Sequence, residues 1–227
     1  MPFSRRAPLT AVIVALGLVS ACGNDTEKGR IGKNYVDKLK SGVIGGGGET
    51  QPQPTLEQMV AVVRQTVTDP LILIEMKDGG GTAAVVEIER NGPHVTYASA
   101  DRRTIVMKGG MVTATRGLGQ DLMSSDSDPS SDLVRARKSG EVTRVMRHIG
   151  GDDQSVERRF ACQIAPGTRD EFKGSLHTEG TIMIERCRAD DMGFTNSYVV
   201  SGKGQITESI QWLSPLRSYA QLLLMNM

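Results

Sequence analysis

Few residues in this sequence have the types and spacing that chemistry needs. The stretch VTATRGLGQDLM, Val112 to Met123, sets Gly117 and Gly119 between Arg116 and Asp121. Glycine-rich loops can cradle phosphate with backbone N–H groups, and an arginine beside a carboxylate can steer a proton. A phosphate loop, however, also needs a Lys-Ser/Thr pair and a strand-to-helix turn within an α/β unit. Neither is present. The stretch reads instead as a strand, Met111 to Thr115, ending at Arg116 in a bend that glycine permits. Leu118 and Leu122 would then pack back onto the domain, leaving Arg116 and Asp121 as surface groups or a local ion pair.

Other candidates are as sparse. No pair among His94, His148 and His177 has metal-ligand spacing on one helix face, so no metal site is expected. No G-x-S-x-G elbow nominates a serine nucleophile. Asp126, Asp128 and Asp132 lack the central glycine and closing glutamate of a calcium loop, and Pro129 interrupts them. Asp152-Asp153 and Asp190-Asp191 flank turns, where solvated acids are common. Tyr198 and Trp212 could stack on a sugar ring, or serve as core residues of strands. The expectation is a non-catalytic protein without cofactor.

The start of the chain says more about function. Arg5 and Arg6 precede an uncharged stretch, Ala7 to Val19, and then Val19-Ser20-Ala21-Cys22. This is the pattern of an export signal, too short to span a bilayer as a mature helix. Its end resembles the lipobox of bacterial lipoproteins, which implies cleavage before Cys22 and acylation of that cysteine. Two or more acyl chains hold a protein stably at a membrane, whereas one holds marginally. Gly23 stands where an inner-membrane retention signal would have aspartate, which favours the periplasmic face of the outer membrane. Ser4-Arg5-Arg6 resembles a twin-arginine signal only weakly, so the general export route is expected.

Loss of Arg5 and Arg6 with residues 1–21 takes the formal charge from +1 to −1. Such a near-neutral chain has no electrostatic reason to bind nucleic acid. Residues 22–54, with Gly45 to Gly48 and Gln51-Pro52-Gln53-Pro54, have the composition of a lipidated flexible linker, with one short helix predicted at Asn34 to Lys40. Residues 55–227 form the folded domain, and with aromatics at 4% its core must be mainly aliphatic.

The domain opens with an amphipathic helix. Thr55 and Gln58 have capping-box spacing, Leu56, Met59, Val60, Val63 and Val67 recur at helical intervals, and Asp69-Pro70 ends the element. Strands are predicted next over 71–76, 82–89, 94–99, 104–108 and 111–115, with glycine-rich turns between them. A polar break over Ser124 to Ser131 separates these from a second set. Val142, Val145, Met146 and Ile149 have helical spacing, but the turn-like Gly150-Gly151-Asp152-Asp153 favours a strand leading into Ser155 to Ile164. Runs over 180–188, 194–200 and 205–213 complete about ten strands. The fold class is therefore all-β, mainly an antiparallel barrel or sandwich, with one N-terminal amphipathic helix.

Near the C-terminus, TNSYVV, a short turn, GQITESIQWLSP and an apolar tail follow one another. This resembles the closing pattern of the YjbF/GfcB family, lipoproteins associated with exopolysaccharide and group 4 capsule secretion. Asn196, Tyr198, Val200, Ser209, Gln211, Trp212 and Pro215 match the pattern. Val199, Ile210 and Ser214 depart from it. The resemblance implies a β-barrel-like domain with no catalytic activity assigned to it, working in the periplasm beside a polysaccharide export machine. An exported protein matures where disulfides persist, so Cys162 and Cys187, both on predicted strands, are expected to pair; two buried free thiols are the alternative.

Two functional expectations result. In the first, an outer-membrane lipoprotein assists polysaccharide assembly or secretion by binding export proteins or glycan, with Arg116, Asp121, Asn196, Tyr198, Gln211 and Trp212 as the candidate binding surface. In the second, a barrel carries or senses a lipid or other apolar ligand. An open apolar cavity would favour the second, and a side-chain-filled barrel with exposed aromatic groups the first.

Overall fold

The structure is a computed structural model that describes residues 54–149 and 154–226. The leader, Cys22, the helix predicted at Asn34 to Lys40 and the turn Gly150 to Asp153 lie outside the described residues.

Helix α1 (Leu56–Thr66) starts at the capping box its sequence announces. The Gln58 amide donates to Thr55 Oγ1 at 3.3 Å and the Thr55 amide donates to Gln58 Oε1 at 2.9 Å. Twelve strands follow: β1 (Leu71–Met76), β2 (Gly81–Asn91), β3 (His94–Ala98), β4 (Thr104–Lys108), β5 (Met111–Arg116), β6 (Leu122–Asp126), β7 (Gly140–Ile149), β8 (Ser155–Pro166), β9 (Thr181–Arg188), β10 (Gly193–Val200), β11 (Ile206–Ser214) and β12 (Ser218–Met225), with helix α2 (Asp128–Ala136) between β6 and β7.

Except for β5 and β6, each strand pairs antiparallel with its neighbours in sequence, and β12 turns back onto β1 with Leu71 opposite Met225 and Met76 opposite Ala220. The result is an up-and-down barrel, nearly closed. Its one unladdered seam lies between β5 and β6, which run side by side at the two ends of the hydrogen-bonded order. Strand alternation sets the wall: Phe160, Cys162 and Ile164 of β8 point inward, while Ala161 and Gln163 face solvent. Cys162 and Cys187 stand opposite each other on β8 and β9 and form a disulfide.

Part of the outer wall is covered. Leu56, Met59, Val60 and Val63 of α1 pack on Leu71, Leu73, Ala84, Val86, Leu223 and Met225, so β1 is buried on both faces. The long β8–β9 connection, residues 167–180, lies against β11 and β12. Its anchor is the buried Glu208, whose Oε2 accepts from the backbone amides of His177 and Thr178 at 2.9 and 3.1 Å. Gln221 Nε2 donates to both Glu208 Oε1 and the Ser175 carbonyl at 2.7 Å.

Two sequence expectations are corrected here. The polar run Ser124 to Ser131 is not a break, because its first half pairs with β7 as strand β6 and its second half starts α2. Pro129 lies in the first turn of that helix, where a missing N–H costs nothing. Strand count rises from about ten to twelve for the same reason and because the apolar C-terminal tail is β12. Helix α2 plugs one rim of the barrel: Val134 packs among Met111, Ile164, Met183, Tyr198, Val200 and Ile206. Arg137, in the left-handed conformation at the helix end (φ 57°), donates through Nη1 to the Ser201 carbonyl at 2.6 Å.

Candidate functional site

The glycine bend and the barrel interior prove to be parts of one arrangement. Gly117 and Gly119 have φ of +80° and +105°, a region that side chains resist, and they fold residues 117–121 back over the seam. Asp121 is buried and is not ion-paired with Arg116. Its carboxylate accepts from Thr115 Oγ1 at 2.9 Å and from the Gly117 and Leu118 amides at 2.8 and 3.1 Å. Thr115 Oγ1 in turn accepts from the Leu122 amide at 3.0 Å. Exposed Arg116 donates to the Leu122 carbonyl at 3.1 Å. These contacts fasten β5 to β6 where the ladder does not.

Deeper in the barrel, side chains from other strands complete the seam. The Val112 amide of β5 donates to Gln211 Oε1 at 2.9 Å, and Gln211 Nε2 donates to the Gly110 carbonyl at the same distance. Arg144 of β7 reaches three strands: Nε donates to Ser125 Oγ of β6 at 2.9 Å, Nη1 to Glu185 Oε2 of β9 at 2.9 Å, and Nη2 to the Val112 carbonyl at 3.4 Å. Glu185 Oε2 also accepts from the Tyr198 hydroxyl at 2.7 Å and Asn196 Nδ2 at 2.8 Å, while Asn196 Oδ1 accepts from the Trp212 amide at 2.7 Å.

Arg144 and Glu185 are 1% and 0% exposed, which makes this a charge pair wholly removed from water. Burial pushes the Glu185 carboxyl up, but the Arg144 guanidinium and the surrounding donors outweigh that and hold it below its ordinary value. Burial and the Glu185 charge raise the Tyr198 hydroxyl well above the usual range, so it stays a donor. The pair is ionised and enclosed. Enclosed in this way, the network ties β5, β6, β7, β9 and β10 together.

Beyond this layer an aromatic group closes the second rim. Phe194 stacks on Trp212 with centroids 4.9 Å apart and planes 5° apart, Phe160 meets both edge-on, and His148 abuts Trp212. His148 Nε2 donates to the Leu213 carbonyl at 2.8 Å, leaving Nδ1 buried without a partner. Burial lowers its pKa from 6.5, only partly countered by the Leu213 bond.

The expected binding surface is therefore corrected. Asn196, Tyr198, Gln211 and Trp212 are buried in the barrel, Asp121 is buried in the seam, and of the six only Arg116 is exposed. Inward-facing polar groups at these positions bond groups on neighbouring strands. The clustered aromatic residues Phe160, Phe194 and Trp212 are buried, so they are not displayed as an exposed sugar platform. Arg144, Glu185 and Glu208 were not singled out from sequence. Their signal was nonetheless there: Arg144 alternates with Val142, Met146 and His148, and Glu185 with Met183 and Cys187, each a charge on an otherwise inward face.

Removing one member of a buried pair strands the other's charge, at a cost of about 3–5 kcal/mol. Glu185→Gln should lose that much in urea unfolding, whereas Arg144→Met combined with Glu185→Leu should cost well under the sum of the single changes; simple additivity would show that the pair is not coupled. His148 gives a pH test. Its folded pKa lies below the unfolded one, so the unfolded chain takes the proton first: stability is intact above about pH 6.5 and falls as pH drops below it. Glu185 acts in the same direction but only below its ordinary 4.5. His148→Gln should flatten the stability curve between about pH 6.5 and 5, and an unchanged slope there would assign the loss to other groups.

Comparisons with known proteins agree with this architecture. The model of the family described as "Group 4 capsule polysaccharide lipoprotein gfcB, YjbF" matches residues 37–224. A search of the curated proteins found no match. Among solved structures, the hypothetical lipoprotein YmcC from Escherichia coli K12 is similar in fold, with a TM-score of 0.56 at 15% identity, covering 77% of this chain and 97% of that one. The family match spans the helix and nearly the whole barrel, and the chain belongs to the YjbF/GfcB family of lipoproteins associated with group 4 capsule polysaccharide.

Proposed function

We propose that the protein is a non-catalytic lipoprotein, held by acylated Cys22 at the periplasmic face of the outer membrane, that assists assembly or secretion of an exopolysaccharide or capsule by binding an export protein or the glycan. The observation that carries this reading is the family match over residues 37–224. The buried network of Arg144, Glu185, Asn196 and Tyr198 is consistent with it, since these groups bond one another across strands.

The outer wall argues that anchoring falls to the lipid. Arg147, Glu157, Arg159, Arg186 and Arg188 are exposed on the outward faces of β7, β8 and β9. The outer face of a membrane-spanning barrel is an apolar band, where arginine costs about 2–4 kcal/mol at the midplane. A barrel with this wall is suited to water. The linker 22–54 would let it stand away from the surface to which Cys22 holds it.

Deletion of the gene should reduce surface polysaccharide and leave growth unchanged, with recovery on complementation by the native chain. Cys22→Ala should move the protein from the membrane to the soluble periplasmic fraction and fail to complement. A deletion strain with normal surface polysaccharide would contradict the proposal.

A further inference from the structure

The β10–β11 ladder ends at Ser197, paired with Ile210, well before either strand does. Beyond that point other groups take the freed donors: the Trp212 amide goes to Asn196 Oδ1, and the Thr195 amide donates to the Tyr219 hydroxyl at 3.1 Å. Next to this parting, beside the β9–β10 hairpin, lies a cleft of about 540 Å³. Arg186, Arg188, Asp190, Met192, Thr195 and Tyr219 are among its lining residues.

The chemistry of this lining is specific. Arg186 is shared with Glu171, at 2.5 Å. Arg188 is exposed and has no ion-pair or hydrogen-bond partner among the described residues, which leaves its planar fork of donors free for a carboxylate. Partly buried Tyr219 and Met192 supply apolar surface to the same cleft, and Asp190 and Thr195 can bond hydroxyl groups. Gly193 keeps the hairpin tight, since a Cβ there would lie 2.9 Å from the Cys187 carbonyl.

Resting on the function proposed above, we infer that this cleft is a glycan subsite for an acidic sugar unit, with Arg188 binding the carboxylate and Tyr219 and Met192 lying against the ring. The family-matching residues Asn196 and Trp212 then serve the site indirectly. Their mutual hydrogen bond holds the strands in the parted arrangement next to the cleft.

The test uses the lipid-free chain from residue 23 onward, titrated at low salt with tetragalacturonate and followed by amide NMR, with neutral maltotetraose and a glutamate tetrapeptide in parallel. The proposal expects shifts centred on residues 186–195 with the acidic sugar alone, and about tenfold weaker binding in Arg188→Gln but not in Arg102→Gln, an exposed arginine elsewhere. Binding of maltotetraose or of the glutamate peptide at the same amides, equal loss in both variants, or no binding of tetragalacturonate would overturn it. Complementation separates this inference from the broader one. If Arg188→Gln binds tetragalacturonate as the native chain does while deletion reduces surface polysaccharide, the subsite is refuted and the broader function stands; if deletion itself leaves polysaccharide normal, the broader function fails whatever the cleft binds.

Discussion

Arg144 is the group on which this barrel depends most. Eight strands leave an interior that side chains just fill, and each added strand widens it. With twelve, the wall must be filled by large residues and plugged at its rims. It must also satisfy two strand edges, because β5 and β6 do not share a ladder. One guanidinium meets both demands, filling the centre while it bonds the Val112 carbonyl on β5, Ser125 on β6 and Glu185 on β9. Guanidinium suits the position, since its donors diverge in a plane and its charge persists even when buried.

The remaining polar interior follows from that choice. A buried cation requires an anion, and Glu185 requires donors for its own oxygens, which Tyr198 and Asn196 provide. Asn196 then reaches the Trp212 backbone, and Gln211 closes the upper part of the seam from β11. Above this layer α2 seals one rim with apolar side chains, and below it the stacked aromatic residues seal the other. The Cys162–Cys187 disulfide lies beside Glu185 and ties the strand that carries it to β8.

Much of the fold was legible in the sequence because its signals are local. The Thr55–Gln58 box, the alternation in β2 and β8 and the glycine turns each report on a few neighbouring residues. Strand β6 and helix α2 were hidden for a physical reason: Ser124, Ser125, Ser127, Ser130 and Ser131 look like loop composition, yet Ser125, Ser127, Ser130 and Ser131 are buried against a polar interior. The same interior misled the reading of the site. For Asn196, Tyr198, Gln211 and Trp212 the sequence leaves both a binding surface and a core place open, since it shows that a side chain can bond but not that its partner lies across a barrel. Asp121 is the clearest instance: its separation from Arg116 suggests an ion pair, whereas its carboxylate caps the backbone of its own loop.

Side chains, not a backbone ladder, hold the β5–β6 seam shut, and amide hydrogen exchange at Val112 tests this most directly. In the native protein this amide, bonded to Gln211 Oε1, should be protected nearly as well as amides of the β7–β8 ladder. In Gln211→Leu it should exchange faster by about tenfold or more while the β7–β8 amides keep their protection. Fast exchange of Val112 in the native chain, or undiminished protection in the variant, would contradict the account.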